Sequence, residues 1–274
     1  MGAIVVRRDA RGGLLSERAL AALVGGMRSF GHPIVSRIAP WQLVDARFRR
    51  AATIDWHSEQ RRGTSGVRVE VDGDGFASLR SVGAFDVRVP WLPAVDEMTS
   101  PCALEYDEAI GDVAIIARDP QAPNVKILSS RLHEWLPNAN IHLFDGESLI
   151  AQTPQRRRVS LAVVYDLTDP YAFANVRLGL TGVPIVARDL PSLRRIYADD
   201  LVAFANETYL VDAAAALFDD AARRADVSRY LPEDCRRRFS PRRSAMRALD
   251  LARAARFGPE RPAPRRSDAP LKLD

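Results

Sequence analysis

Asp169 lies in SLAVVYDLTDPYAFANVRLGL, between an apolar β-branched run and a stretch with helical spacing. A carboxylate in such a loop can hold ligand hydroxyls, or it can simply cap the helix. His57 and Asp55 occur together in TIDWHSEQ, at the end of another apolar run. That pair can orient or deprotonate a hydroxyl, and it also fits an ordinary structural histidine. Gly12 and Gly13 in RRDARGG lack side chains that would keep a phosphate or sugar from the backbone N–H groups; the same dipeptide also makes a turn.

Other chemistries find less support. There is no G-x-G-x-x-G fingerprint for a dinucleotide oxidoreductase, and no G-x-S-x-G elbow that would make His57, Ser58 and Glu59 a hydrolase. Asp72-Gly73-Asp74-Gly75 reads as a turn rather than a metal loop. His32, His133 and His142 show no ligand spacing, so no metal and no resident cofactor are expected. Cys102 and Cys235 are too few for a disulfide framework and are expected as reduced thiols.

The elements that must carry these residues alternate along the chain. Residues 3–6 form an apolar strand, and residues 16–30 a helix with Leu20, Leu23, Val24, Met27 and Phe30 on one stripe. PIVSRI is a strand, residues 41–50 a second helix, GVRVEV a strand, FASLRSVG a short helix and FDVRVP a strand. WLPAVDEMTSP reads as an inter-domain linker. DVAIIA, NIHLFDG, SLAVVY and VPIVA follow as strands, with the short apolar LVAFA after them. Between and after them come helices in VKILSSRLHEWL and YAFANVRLGL, over residues 191–197, and over residues 209–224 with Leu210, Ala214, Leu217, Phe218 and Ala221 on one face. Pro170 suits a helix start and Gly182 a helix stop. This alternation predicts an α/β protein: two Rossmann-like, doubly wound parallel sheets facing a cleft. The expected units are residues 1–98, residues 99–258 with a final helix crossing back, and a Pro/Arg-rich tail at 259–274.

Hydrophobic residues make up 47% of the chain, enough for a sizeable core. No apolar run is long enough to span a bilayer, and the start lacks a signal peptide's order of charges; a cytoplasmic protein is expected. The net charge of +4 is uneven. Residues 236–274 hold twelve Arg or Lys against four Asp or Glu, a balance of +8 that leaves −4 for the rest. That segment can meet nucleic acid, an anionic surface or the acidic body of its own chain. RRRFSPRR also fits a crossing helix anchored by Phe239.

The order of IVVRRDARGG, FGHPIV, FDVRVPWLPAVD, DVAIIARDPQAPNVKIL and TDPYAFANVRLGLTGVPIVARD resembles a GT-B glycosyltransferase, in particular the large retaining, metal-independent group that uses nucleotide sugars. The resemblance implies a donor held mainly by the C-terminal half and an acceptor by the N-terminal half. Arg118 would face the donor phosphates, helped by Lys126, with Arg188 near the cleft. Asp169 would hold sugar hydroxyls, and His57 with Asp55 would attend the acceptor. Where the family has a second Glu for the ribose hydroxyls, this chain has Arg177, and Ala172 stands in place of a Gly. A guanidinium donates only, so Arg177 cannot accept from a ribose diol but can grip a phosphate.

The expected activity is transfer of a sugar from a nucleotide sugar to an acceptor hydroxyl, the acceptor being modified DNA, lipid, protein or a small molecule. Arg177 also admits two other readings: a catalytically silent binding or partner protein on this scaffold, and a basic nucleic-acid-binding protein.

Overall fold

The computed structural model describes residues 4–8, 14–30, 34–35, 52–56, 66–71, 77–82, 88–90, 102–150, 156–167 and 172–257. The first group of elements is β1 (Ile4–Arg8), α1 (Leu14–Ser29), β2 (Ile34–Val35), β3 (Ala52–Trp56), β4 (Gly66–Val71), β5 (Ala77–Val82) and β6 (Arg88–Pro90). They build a six-stranded sheet in the order β2-β1-β3-β4-β5-β6. Its first four strands are parallel, whereas β4, β5 and β6 pair antiparallel.

This corrects two expectations. The sheet is mixed rather than parallel, and FASLRSVG contributes strand β5 instead of a helix. Leu79 is buried while Arg80 is half-buried, which is the two-residue alternation of a strand. Val71 and Ala77 pair antiparallel, and the Asp72-Gly73-Asp74-Gly75 stretch expected as a turn lies outside the described residues. The second helix expected over residues 41–50 lies outside the described residues.

The second group is β7 (Leu104–Tyr106), β8 (Val113–Ile116), α2 (Pro123–Trp135), β9 (Ile141–Phe144), α3 (Gly146–Ile150), β10 (Arg157–Val159), β11 (Leu161–Val164), α4 (Phe173–Leu180), β12 (Ile185–Arg188), α5 (Pro191–Ile196), β13 (Ala203–Ala205), α6 (Leu210–Asp219), α7 (Ala221–Arg238) and α8 (Pro241–Phe257). Five of these strands form an all-parallel sheet, β13-β12-β11-β8-β9, and β7 and β10 pair as a separate parallel ribbon. The helix expected over residues 209–224 breaks at Asp220. Its carboxylate accepts the Arg223 N–H at 2.8 Å and caps α7, leaving Ala221 exposed beyond the end of α6.

Apolar strands buried on both faces organise this second sheet, as SLAVVY and VPIVA lead one to expect. Val113, Ile115, Leu161, Val163 and Val186 pack with α2 and α6. The alternating Ala114, Ile116, Ala162, Val164 and Ile185 face the opposite layer, which includes residues of α3, α4 and α7. That layer is continuous with Leu20, Leu23 and Met27 of α1 and with Val67 and Leu79 of the first sheet. Each fully buried side chain of this kind contributes roughly 1.5–3 kcal/mol.

Helix α8 packs on α1 and on β3, β4 and β5, joining the end of the chain to the first sheet. Gly26 of α1 permits that contact, because a Cβ there would collide with the Pro241 carbonyl. Gly182 ends the α4 segment at φ +74°, and an added Cβ would lie 2.7 Å from the Ser228 oxygen of α7. That carbonyl has lost its helical donor, since Pro232 four residues on has no N–H.

Candidate functional site

The second sheet has the strand order 2-1-3-4-5, reading β8 as first and β9 as second. In such a sheet the strand order reverses between the first and third strands, and the crevice for ligands opens at their carboxyl ends. That point falls between β8 and β11. Ala117, Arg118 and Asp119 leave β8, while Tyr165, Asp166 and Leu167 leave β11. The Arg118 N–H donates to Asp166 Oδ1 at 2.8 Å, and the Tyr165 N–H to the Ile116 oxygen at 2.9 Å.

Helix α2 begins beside this junction. Its Pro123 occupies the first turn, Ala122 provides no side-chain cap, and the first turn holds no acidic residue. The start of this 13-residue helix presents the Asn124 N–H and a partial positive charge, since Pro123 has no N–H and those of Ala122 and Val125 bond to the Asp119 and Ala122 carbonyls. The Arg118 and Lys126 side chains are exposed.

A polar cluster continues along the carboxyl edge. Asn124 Nδ2 donates to the Tyr165 hydroxyl at 2.9 Å, and that hydroxyl donates to Glu207 Oε1 at 2.5 Å. Glu207 Oε2 lies 2.9 Å from Arg188 Nη2, and the Arg188 guanidinium stacks 4.8 Å from the Tyr165 ring centre. Burial, followed by the hydrogen bond to Glu207, raises the Tyr165 phenol above its ordinary pKa. It therefore stays a donor at neutral pH. Arg188 is half-buried here, held by Glu207 and by the Tyr165 ring.

Arg177 has a different setting. It is 7% exposed on α4, whose residues Phe173 to Gly179 are all buried. Its charge, with that of Arg156, opposes the burial that pushes the Cys102 thiol up to about 11. Cys102 and Cys235 are both free and buried. Ala172 opens α4 in the left-handed region at φ 53° and ψ 21°, the only non-glycine with positive φ among the described residues.

Asp55 is the fourth residue of β3, in register with Arg7 and Arg68. His57 follows β3 directly in the chain, Gly12 and Gly13 fall between β1 and α1, and Asp169 falls between Leu167 and Ala172. These four residues lie outside the described residues. At the amino edge of the second sheet, His142 Nε2 and Asp112 Oδ2 are 3.0 Å apart, with Asn140 on the same carboxylate. Burial pushes the Asp112 pKa up, but the hydrogen bonds from His142 and Asn140 outweigh it and hold the carboxyl below its ordinary value. No group of three or more potential metal ligands occurs among the described residues.

Sequence reasoning missed Asn124, Tyr165, Asp166 and Glu207. The signal available for two of them was a polar-tipped aromatic and a carboxylate closing a buried strand. A groove of about 540 Å³ lies elsewhere, between α7 and the loop before β13, bordered by Asp200, Arg223, Asp226, Tyr230, Glu233 and Arg237.

The topology defines an α/β protein built on two Rossmann-like sheets. No protein-family model matches the sequence, and no curated protein matches it. Among solved structures it is similar to the glycosyltransferase SnogD from Streptomyces nogalater, at 11% identity over 92% of this chain and 99% of that one, with a TM-score of 0.40. Spinosyn rhamnosyltransferase SpnG, complexed with spinosyn aglycone, matches at 11% identity over 90% of this chain and 73% of its own, with a TM-score of 0.33. Spinosyn forosaminyltransferase SpnP matches at 14% identity over 90% and 70%, also with a TM-score of 0.33. No described helix is long and apolar enough to cross a membrane.

Proposed function

We propose that the chain is a glycosyltransferase that binds a nucleotide sugar at the carboxyl edge of its second sheet. The observation that carries this reading is the junction of Arg118 with Asp166, where the β8 and β11 loops meet at the start of α2. A leaving nucleoside diphosphate gains negative charge, and fixed N–H groups and cations stabilise it there. In this reading Arg118 and Lys126 meet the phosphates, the start of α2 supplies the Asn124 N–H, and Arg188 adds a cation from β12. Asp169 holds the sugar hydroxyls. Gly12 and Gly13 border the acceptor side, where His57 with Asp55 orients or deprotonates the acceptor hydroxyl. Transfer proceeds with retention and without a metal, no resident cofactor is used, and the protein works in the cytoplasm.

A second reading is a silent binding protein on the same scaffold, and the burial of Arg177 favours it. A buried guanidinium in the place of a ribose-binding carboxylate supplies no acceptor for the diol. Thermal shifts and slow donor hydrolysis across a panel of nucleotide sugars separate the two. One donor-specific shift with hydrolysis, both lost in Asp169→Ala, supports the transferase. A shift without hydrolysis supports the silent protein, and no shift with any donor contradicts both.

A further inference from the structure

The segment RRRFSPRR places five arginines within eight residues, at the elbow where α7 ends and α8 begins. Asp234, nearly buried, accepts from Arg237 at 2.8 Å and from Arg238 at 3.0 Å. Arg238 reaches on to the Arg195 carbonyl at 3.1 Å, and Arg243 to the Arg237 carbonyl at 2.5 Å. Arg242 stacks on Phe30, the residue after α1, at 5.2 Å. These contacts connect Arg237, Arg238 and Arg243, the first two through the Asp234 carboxylate, with Arg242 beside them on Phe30. The first turn of α8 has no acidic residue, so the helix dipole adds further positive charge.

Such a concentration repels itself unless an anion joins it. Arg237 and Arg243 each spend one of five N–H donors on these bonds, and both are exposed. Their remaining forks suit phosphate oxygens, which guanidinium meets bidentately. We infer that the α7–α8 elbow binds the sugar–phosphate backbone of nucleic acid.

Two features favour that partner over a lipid surface. Met246 is the exposed large apolar side chain within residues 241–251 of α8, too little to insert into a bilayer. Tyr230 is 48% exposed seven residues before Arg237, about 10 Å along the same face of α7, where a base can stack on it. Asp200, Asp226 and Glu233, which border the groove together with Tyr230 and Arg237, repel phosphate, so the backbone runs over the Arg237, Arg242 and Arg243 side of the elbow and only a base reaches Tyr230.

The test is fluorescence anisotropy of the full chain with labelled duplex DNA at several salt concentrations. Affinity is expected to fall steeply between about 50 and 200 mM salt. The triple variant Arg237→Gln, Arg242→Gln, Arg243→Gln should bind at least about tenfold more weakly, with a salt slope shallower by about 2 to 3. A variant with the same charge loss elsewhere, Arg131→Gln, Arg157→Gln, Arg158→Gln, should change affinity less than about threefold. Arg242→Gln alone makes no hydrogen bond to lose, so its weaker binding at unchanged melting temperature guards against misfolding of the triple variant. Absent or salt-insensitive binding, equal losses in both triple variants, or stronger elbow-dependent binding to phosphatidylserine vesicles than to DNA would overturn the inference.

Discussion

The Arg118 main-chain N–H and Asp166 Oδ1 meet at 2.8 Å, tying the loop after β8 to the loop after β11 across the point where the strand order of the second sheet reverses. A charge-assisted hydrogen bond of this kind is worth about 1.5–3 kcal/mol. Asp166→Ala should therefore lower the urea midpoint by a matching amount. It should also weaken donor binding more than it weakens the fold, measured as a smaller donor-induced melting shift at equal fractional unfolding.

Tyr165 links Asn124 to Glu207, and Glu207 in turn holds Arg188. Tyr165→Phe removes the hydroxyl and keeps the ring beneath the guanidinium. The expected loss is about 1–3 kcal/mol in chemical denaturation. Tyr165→Leu should cost more, because the stacking on Arg188 disappears as well.

Ala172 adopts a backbone conformation that costs an L-residue roughly 1–2 kcal/mol. Ala172→Gly relieves that strain but gives the unfolded chain more freedom, about 0.4–1 kcal/mol in the other direction. The net expectation is a variant as stable as wild type or more stable by up to about 1 kcal/mol. Ala172→Val should lose at least about 2 kcal/mol, and equilibrium urea unfolding distinguishes the two.

Asp112 at the amino edge tests the electrostatics. Its carboxyl is held below the ordinary value of 3.8, so its contribution is present above that pH and fades as pH falls through the lower folded value. Asp112→Asn should be less stable than wild type at neutral pH, and the difference should narrow on acidification below about pH 4. Melting curves over the acid range check this directly.

Gly26→Ala should separate α1 from the start of α8, since no side-chain movement can clear the Pro241 carbonyl. The expected cost is about 1–3 kcal/mol or more. Gly179→Ala meets the Cys235 sulfur at 2.6 Å and should behave similarly, whereas Gly25→Ala, with open space around it, should not destabilise.

What the sequence made legible follows from the range of each interaction. SLAVVY, VPIVA and DVAIIA announce themselves because strands buried on both faces are apolar throughout, and the α1 stripe from Leu20 to Met27 because helical burial repeats locally. LEY and RRV, which become β7 and β10, carry no such pattern, since short polar strands gain their identity only from each other. FASLRSVG has helix-compatible spacing, and its pairing with β4 decided otherwise. Arg188 was readable as the end of an apolar strand, but its partner Glu207 arrives from a loop after β13. Tyr165 and Glu207 are 42 residues apart, a pairing that depends on the strand order. The same holds for Arg177, whose residue type suggested phosphate while its place on α4 puts it in the core.

The most direct measurement is calorimetric titration of the wild-type chain, Arg118→Ala and Arg131→Ala with a panel of nucleoside diphosphates. Arg118 follows β8 at the junction, whereas Arg131 removes the same charge farther along α2. One diphosphate should bind the wild type and Arg131→Ala equally and Arg118→Ala at least about tenfold more weakly, a difference of about 1.4 kcal/mol. No binding by the wild type, or equal losses in both variants, would contradict the placement of the donor at this edge.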